Sequence, residues 1–182
     1  FRTGSPLDAV RSTRLRRVFC FGHCWVVLAI VLPMPFSRRV WALPVLFRLY
    51  RNRQECAKKG ACYRKKTELA REMLEVLLSW TTRRIELAAD SAYCNDTVMR
   101  SLPDRLHLFG SMRPDAVLTA LPIEEAGARS GRPRKRGELL PKPEAVAADA
   151  AIPWKTCSVF VYRRTTMVRY KTLCAQWYRA CG

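Results

Sequence analysis

From Cys24 to Phe36 the chain runs thirteen residues without a charge, CWVVLAIVLPMPF. A stretch this apolar must be buried, and its length and residue types decide how. It falls short of the roughly 20 residues that a membrane-spanning helix needs. Pro33 and Pro35 would break such a helix in any case. Val26, Val27, Ile30 and Val31 are β-branched and favour extended backbone. The stretch therefore predicts a buried strand over residues 19–32, followed by a turn at Pro33-Met34-Pro35. The Arg-bearing residues 1–17 read as a loop leading into it. A second extended segment, RVWALPVLFRL, follows at 39–49. Its Pro44 has no N–H to give a ladder and must sit at a sheet edge or at the end of the strand.

The apolar period changes further along. Leu69, Met73, Leu77 and Trp80 fall at i, i+4, i+8 and i+11, a single helical stripe over 67–80 with Thr67 as the N-cap. Glu68, Arg71, Glu72 and Glu75 lie off that stripe. The basic stretch 48–66, which contains Gly60, reads as a loop. Residues 85–89 form a short apolar strand closed by Asp90. A second helix is expected over 96–102, capped by Asn95 or Asp96 and stopped by Pro103, then a strand over 106–112. The order strand, strand, helix, strand, helix, strand is an α/β pattern. Residues 123–151 are rich in Gly, Pro, Ala and charge without periodicity, so they read as a loop. Strands resume over 154–162 and 165–174, with Arg163-Arg164 in or near the turn between them.

Charge narrows the partner. Thirty-three Lys and Arg stand against fifteen Asp and Glu, a net +18 with a pI near 10.3. An apolar fraction of 49% supports a core and excludes wholesale disorder. The charge points to a polyanion, nucleic acid first and an anionic membrane surface second. Its densest run is Arg129, Arg132, Arg134, Lys135 and Arg136. Arg-rich loops with Gly and Pro can follow phosphates or enter a narrow minor groove; the alternative is a solvated charge run.

The eight cysteines contain no Cys-x-x-Cys pair, and only His23 and His107 could join them as zinc ligands. They are expected as reduced, mostly buried thiols, with both histidines structural. Trp41, Trp80 and Trp154, each in an apolar stretch, are expected as core anchors. Asp90 is the candidate for chemistry. A carboxylate at the carboxyl end of a strand stands where α/β sheets bind ligands and metals. The alternative is that it only caps the following turn and helix.

Residues 85–95, IELAADSAYCN, resemble the second-aspartate strand of DDE-type transposases of bacterial insertion sequences. Further stretches agree in order. Asp8-Ala9-Val10-Arg11-Ser12 resembles the loop into that family's second strand, and Gly22-His23-Cys24-Trp25-Val26-Val27 the strand itself. Arg39-Val40-Trp41-Ala42-Leu43-Pro44 resembles its third strand. The run from Gly131 to Gly137, with Leu140-Pro141 after it, resembles a basic Gly-Arg-Pro loop. Trp177-Tyr178 resembles a segment ahead of the last catalytic element.

The resemblance implies a ribonuclease H-like mixed sheet with flanking helices, followed by a basic loop and a β-rich insertion. It implies a partial catalytic core over 1–121, a basic loop over 122–153 and a β-rich segment over 154–182. It implies metal-dependent DNA strand cleavage and transfer, in which Asp, Asp and Glu hold two Mg²⁺ ions roughly 3.5–4 Å apart. Asp90 is the one position that matches a catalytic carboxylate and metal ligand. The first Asp would lie on a strand before Phe1 and the Glu on a helix after Gly182. The chain is thus expected to be an internal piece, inactive alone, with no stable Mg²⁺ site. Arg129, Arg132, Arg134, Lys135 and Arg136 are the expected DNA contacts. The implied partner is the transposon end, with a homodimer in the intact protein and a cytoplasmic, nucleoid-associated location. Two other readings stand beside this one: a non-catalytic basic nucleic-acid-binding protein, and a membrane-associated protein using residues 24–36.

Overall fold

A computed structural model of the chain describes residues 12–13, 15–16, 18, 22–37, 39–121, 136–161 and 164–177. The chain divides into two compact units, Phe1–Ile85 and Glu86–Gly182.

The first unit is built on an antiparallel hairpin of β1 (Cys24–Pro33) and β2 (Val40–Tyr50). The uncharged stretch is thus a strand, although Gly22 and His23 stand outside it and Pro33 belongs to it. Among the described residues no helix is long and apolar enough to cross a membrane. The register shifts between Leu28 and Ala29, which pair with Leu46 and Pro44 and leave Val45 unopposed. Pro44 therefore sits at a bulge of a two-stranded ladder, where its missing N–H breaks no second ladder.

The 48–66 stretch is not simply a loop. After Tyr50 it folds into the short helix α1 (Arg53–Lys58), opened by Asn52, whose Oδ1 accepts the Glu55 N–H at 2.8 Å. It closes on Gly60 at φ +61. Ala61 N donates to Cys56 O at 2.9 Å and Gly60 N to Ala57 O at 3.3 Å. This is the paired bonding of a Schellman cap, which needs the left-handed residue that glycine supplies.

Helix α2 (Lys66–Trp80) packs on the hairpin. Its N-cap is Lys65 rather than Thr67, and Glu68 in the first turn turns back to accept the Lys65 N–H at 2.7 Å. Leu69, Met73 and Leu74 are buried, together with Val26 of β1 and Cys56 of α1. The stripe is rotated from its expected line: Leu77 is half-buried and Trp80 is exposed. Burying each large apolar side chain contributes about 1.5–3 kcal/mol.

In the second unit β3 (Ile85–Ala89), whose first residue ends the first unit, pairs with β4 (Leu106–Gly110). A 3-10 turn (Ser91–Tyr93) and the one-turn helix α3 (Asp96–Met99) lie between them. Asn95 is the N-cap of α3, and its Oδ1 accepts from Thr97 N at 3.0 Å and Val98 N at 3.3 Å. The helix ends at Met99, before Pro103. Helix α4 (Pro143–Ala148) lies within the stretch expected as a loop, with Pro143 at its first position. That placement suits proline, whose missing N–H has no helical partner there. The hairpin of β5 (Lys155–Val161) and β6 (Arg164–Tyr170) follows, with Arg164 opening its strand directly beside the turn. Lys171, just beyond β6, donates to the carbonyls of Val146, Ala147 and Asp149 at 3.0, 3.1 and 2.6 Å, tying the end of α4 to the hairpin.

The chain is mixed α/β. Where the resemblance implies one mixed sheet, the described strands form three two-stranded sheets, β1-β2, β3-β4 and β5-β6. Trp41, Trp80 and Trp154 are not core anchors; all three are exposed. Trp41 meets Phe36 edge-on at 5.6 Å, and Trp154 lies under the cations of Lys171 and Arg169 at 4.8 and 5.4 Å. Six cysteines are described and all are free; Cys56 and Cys94 are buried, whereas Cys62 and Cys174 are exposed.

Candidate active site

Asp90 follows the last residue of β3 and opens the 3-10 turn in extended backbone, φ −65 and ψ 152. Its side chain makes no capping bond to that turn. The main chain does the capping instead: Tyr93 N donates to Asp90 O at 2.8 Å. The exposed carboxylate accepts from Ser91 Oγ at 3.1 Å through Oδ1. Its second oxygen has no protein partner among the described residues. A carboxylate that leaves the backbone N–H groups of its turn to other partners and keeps one oxygen unbonded among the described residues is available to an external cation or water.

The floor beneath Asp90 is Cys94. Its thiol is buried and lies 3.6 Å from the Asp90 carbonyl oxygen. Burial first, and the Asp90 charge second, push the Cys94 thiol above its ordinary range. Across the ladder Gly110 ends β4. A Cβ there would stand 2.0 Å from Cys94 Sγ and 3.0 Å from the Ala89 carbonyl oxygen. The absence of a side chain at 110 is thus what lets Cys94 tuck in. Asn95 Nδ2 closes the turn by donating to Ala92 O at 2.8 Å. Neither Gly110 nor Cys94 announces this role in the sequence. They are sixteen residues apart, and no spacing rule links them.

Of the five expected DNA contacts, Arg129, Arg132, Arg134 and Lys135 lie outside the described residues. Arg136 is described and exposed. Directly after it the chain is clamped. Gly137 N donates to Ala120 O at 3.1 Å, Ala120 N to Glu138 O at 2.8 Å, and Leu140 N to Leu118 O at 2.9 Å. On its other side Thr119 exchanges both backbone bonds with Gln176, at 3.0 and 2.7 Å. Residues 118–121 and 137–140 thus form a stem that holds both ends of the basic segment together. Gly137 is required in it: a Cβ would meet the Ala120 and Leu121 carbonyl oxygens at 2.6 and 2.7 Å.

His23 and His107 are both exposed, and His23 meets Trp25 edge-on at 6.5 Å. Among the described residues no three His, Cys, Asp or Glu side chains are grouped to hold a metal ion. Asp90 by itself does not fit a metal pair, which needs several carboxylates to offset its charge.

The model of the DDE superfamily endonuclease family matches residues 10–178. Neither the curated proteins nor the solved structures contain a match.

Proposed function

We propose, from the premise that the chain belongs to the DDE superfamily endonuclease family, that it is part of a transposase of a bacterial insertion sequence and that Asp90 is one of the catalytic carboxylates. Members of this family act on DNA and generally use divalent metal ions. The observation that carries the reading is the Asp90 side chain, which stands at the carboxyl end of β3 and makes no capping bond to the backbone of the turn it opens. A residue present only as a cap would spend its oxygens on the backbone N–H groups that follow.

In this reading residues 1–121 are part of a ribonuclease H-like core. Residues 122–153 carry the basic loop and 154–182 belong to a β-rich insertion. Arg129, Arg132, Arg134, Lys135 and Arg136 lie along transposon-end DNA, and the intact protein works as a homodimer in the cytoplasm, on the nucleoid. Mg²⁺ is the proposed ion. Among the described residues no group of three such ligands is gathered to hold it. The 182-residue chain alone is accordingly proposed to be inactive.

The test is cleavage of a transposon-end duplex. The chain alone should show no Mg²⁺- or Mn²⁺-dependent nicking. In a cleavage-competent form carrying all three carboxylates, Asp90→Ala should abolish cutting while DNA binding survives. Equal cutting with alanine at position 90 means that the wrong aspartate has been named. Binding without cleavage in the competent form would favour the non-catalytic reading, which the net charge of +18 also accommodates.

A further inference from the structure

The first unit carries a second concentration of charge, away from the 129–136 segment in sequence and in the other unit. Between Arg48 and Lys66 there are eight Lys and Arg and a single carboxylate, Glu55. The fold gathers several of these cations around two tyrosines. Tyr50 and Tyr63 meet edge-on at 6.3 Å, with their hydroxyls 3.4 Å apart. Lys66 lies over the Tyr50 ring at 5.1 Å, and Arg53 over the Tyr63 ring at 5.0 Å. Arg48 and Arg64 share the one carboxylate of Glu72. Arg51 and Arg64 line a small cleft of about 160 Å³ that opens beside Cys56 and Cys62.

Fold stability does not account for this charge. Arg64, Lys65 and Lys66 stand at the start of α2, where the helix dipole disfavours cations. The side chains of Arg51, Lys58 and Lys65 are exposed and have no hydrogen-bond, ion-pair or ring partner among the described residues. Glu55 is already taken by Lys59, and Glu72 by two arginines. Most of the positive charge is therefore uncompensated among the described residues of the unit. A surface of this kind repels itself until a polyanion neutralises it.

We infer that the 48–66 surface is a second DNA contact, which binds the phosphate backbone of duplex DNA independently of the 129–136 loop. The tyrosine rings are half-buried and already faced by Lys66 and Arg53, so they offer no free platform for base stacking. The surface thus positions DNA without reading its sequence. The inference rests on the proposed function only in taking DNA as the polyanion.

The experiment measures duplex affinity against salt for the full 182-residue chain and for the triple variant Arg51→Gln, Lys58→Gln, Lys65→Gln. These three side chains bond to nothing described, so the fold should persist; an unchanged urea midpoint checks this. Each phosphate contact contributes about −0.9 to the slope of log K against log salt, so losing all three should flatten it by up to about 3. The loss should be equal for duplexes of unrelated sequence. A parallel variant neutralising Arg132, Arg134, Lys135 and Arg136 should flatten the slope further when combined with the first. An unchanged slope in the 51/58/65 variant, with the loop variant weakened, overturns the second contact and leaves the proposed function standing. Failure of the unaltered chain to bind DNA at all overturns both. Binding to vesicles of anionic lipid in preference to DNA, lost in the same triple variant, also overturns the inference and points to a membrane surface.

Discussion

Gly110→Ala tests the packing beneath Asp90. The new methyl would lie 2.0 Å from Cys94 Sγ, where apolar atoms settle at about 3.5–4.0 Å. Cys94 is 4% exposed, so its sulfur has little open space to swing into. Relief must come from moving the Asp90–Cys94 turn or the end of β4. Overpacking of this kind costs about 1–3 kcal/mol, and the short distance places the expected loss at about 2 kcal/mol or more. Cys94→Ala removes the sulfur and leaves its Cβ 3.7 Å from the new methyl, an ordinary contact. That substitution by itself should cost about 1 kcal/mol for the small cavity. The double variant should therefore be less destabilised than the sum of the two singles, by about 1–2 kcal/mol. It should not recover fully, because the Ala89 carbonyl oxygen remains 3.0 Å from the methyl. Urea unfolding of the three variants and the parent, compared at equal m-values, gives the coupling directly. Strict additivity would refute the idea that Gly110 is required by Cys94.

Gly137→Ala should be harsher, because the obstacles at 2.6 and 2.7 Å are backbone carbonyls that cannot rotate away. Loss of the Gly137–Ala120 and Ala120–Glu138 bonds should cost about 2 kcal/mol in unfolding free energy and weaken DNA binding by the loop whose ends they hold; an unchanged urea midpoint would count against the stem. Tyr50 is pushed up to about 12, first by its hydrogen bond with Tyr63, then by burial, then by the charges of Tyr63, Cys24 and Cys56. The folded chain then keeps a proton that the unfolded chain releases near pH 10. Its stabilising contribution is complete below pH 10 and is lost as pH rises towards 12. Tyr63→Phe should move one tyrosinate absorbance step back towards pH 10, and an unmoved step would reject the pairing.

Some of this fold is determined within a few residues of chain, and there the sequence alone sufficed. The strand at 85–89 ending on Asp90 follows from a short run in which four of five residues are apolar, with a polar stop. The helix read over 67–80 follows from the spacing of Leu69 and Met73, and the first strand, read over 19–32 and described over Cys24–Pro33, from a β-branched run with no charge. Shorter signals were present but easily submerged. Asn52 capping Glu55 and Pro143 opening an alanine-rich turn mark α1 and α4, yet each helix has only six residues inside a charged stretch. The tertiary structure alone decided the rest. Periodicity gives the angle of a stripe but not where its neighbour lies, so Leu74 is buried and Trp80 is not. An apolar neighbourhood likewise did not bury Trp41 or Trp154, because burial depends on what the chain brings back from a distance. Whether Asp90 caps its turn depends on where its side chain is held, and here it accepts from the Ser91 hydroxyl while Tyr93 N bonds to the Asp90 carbonyl instead. The close fit of Gly110 over Cys94 arises only when β4 returns beside β3, a contact between two residues that nothing in the linear chain connects.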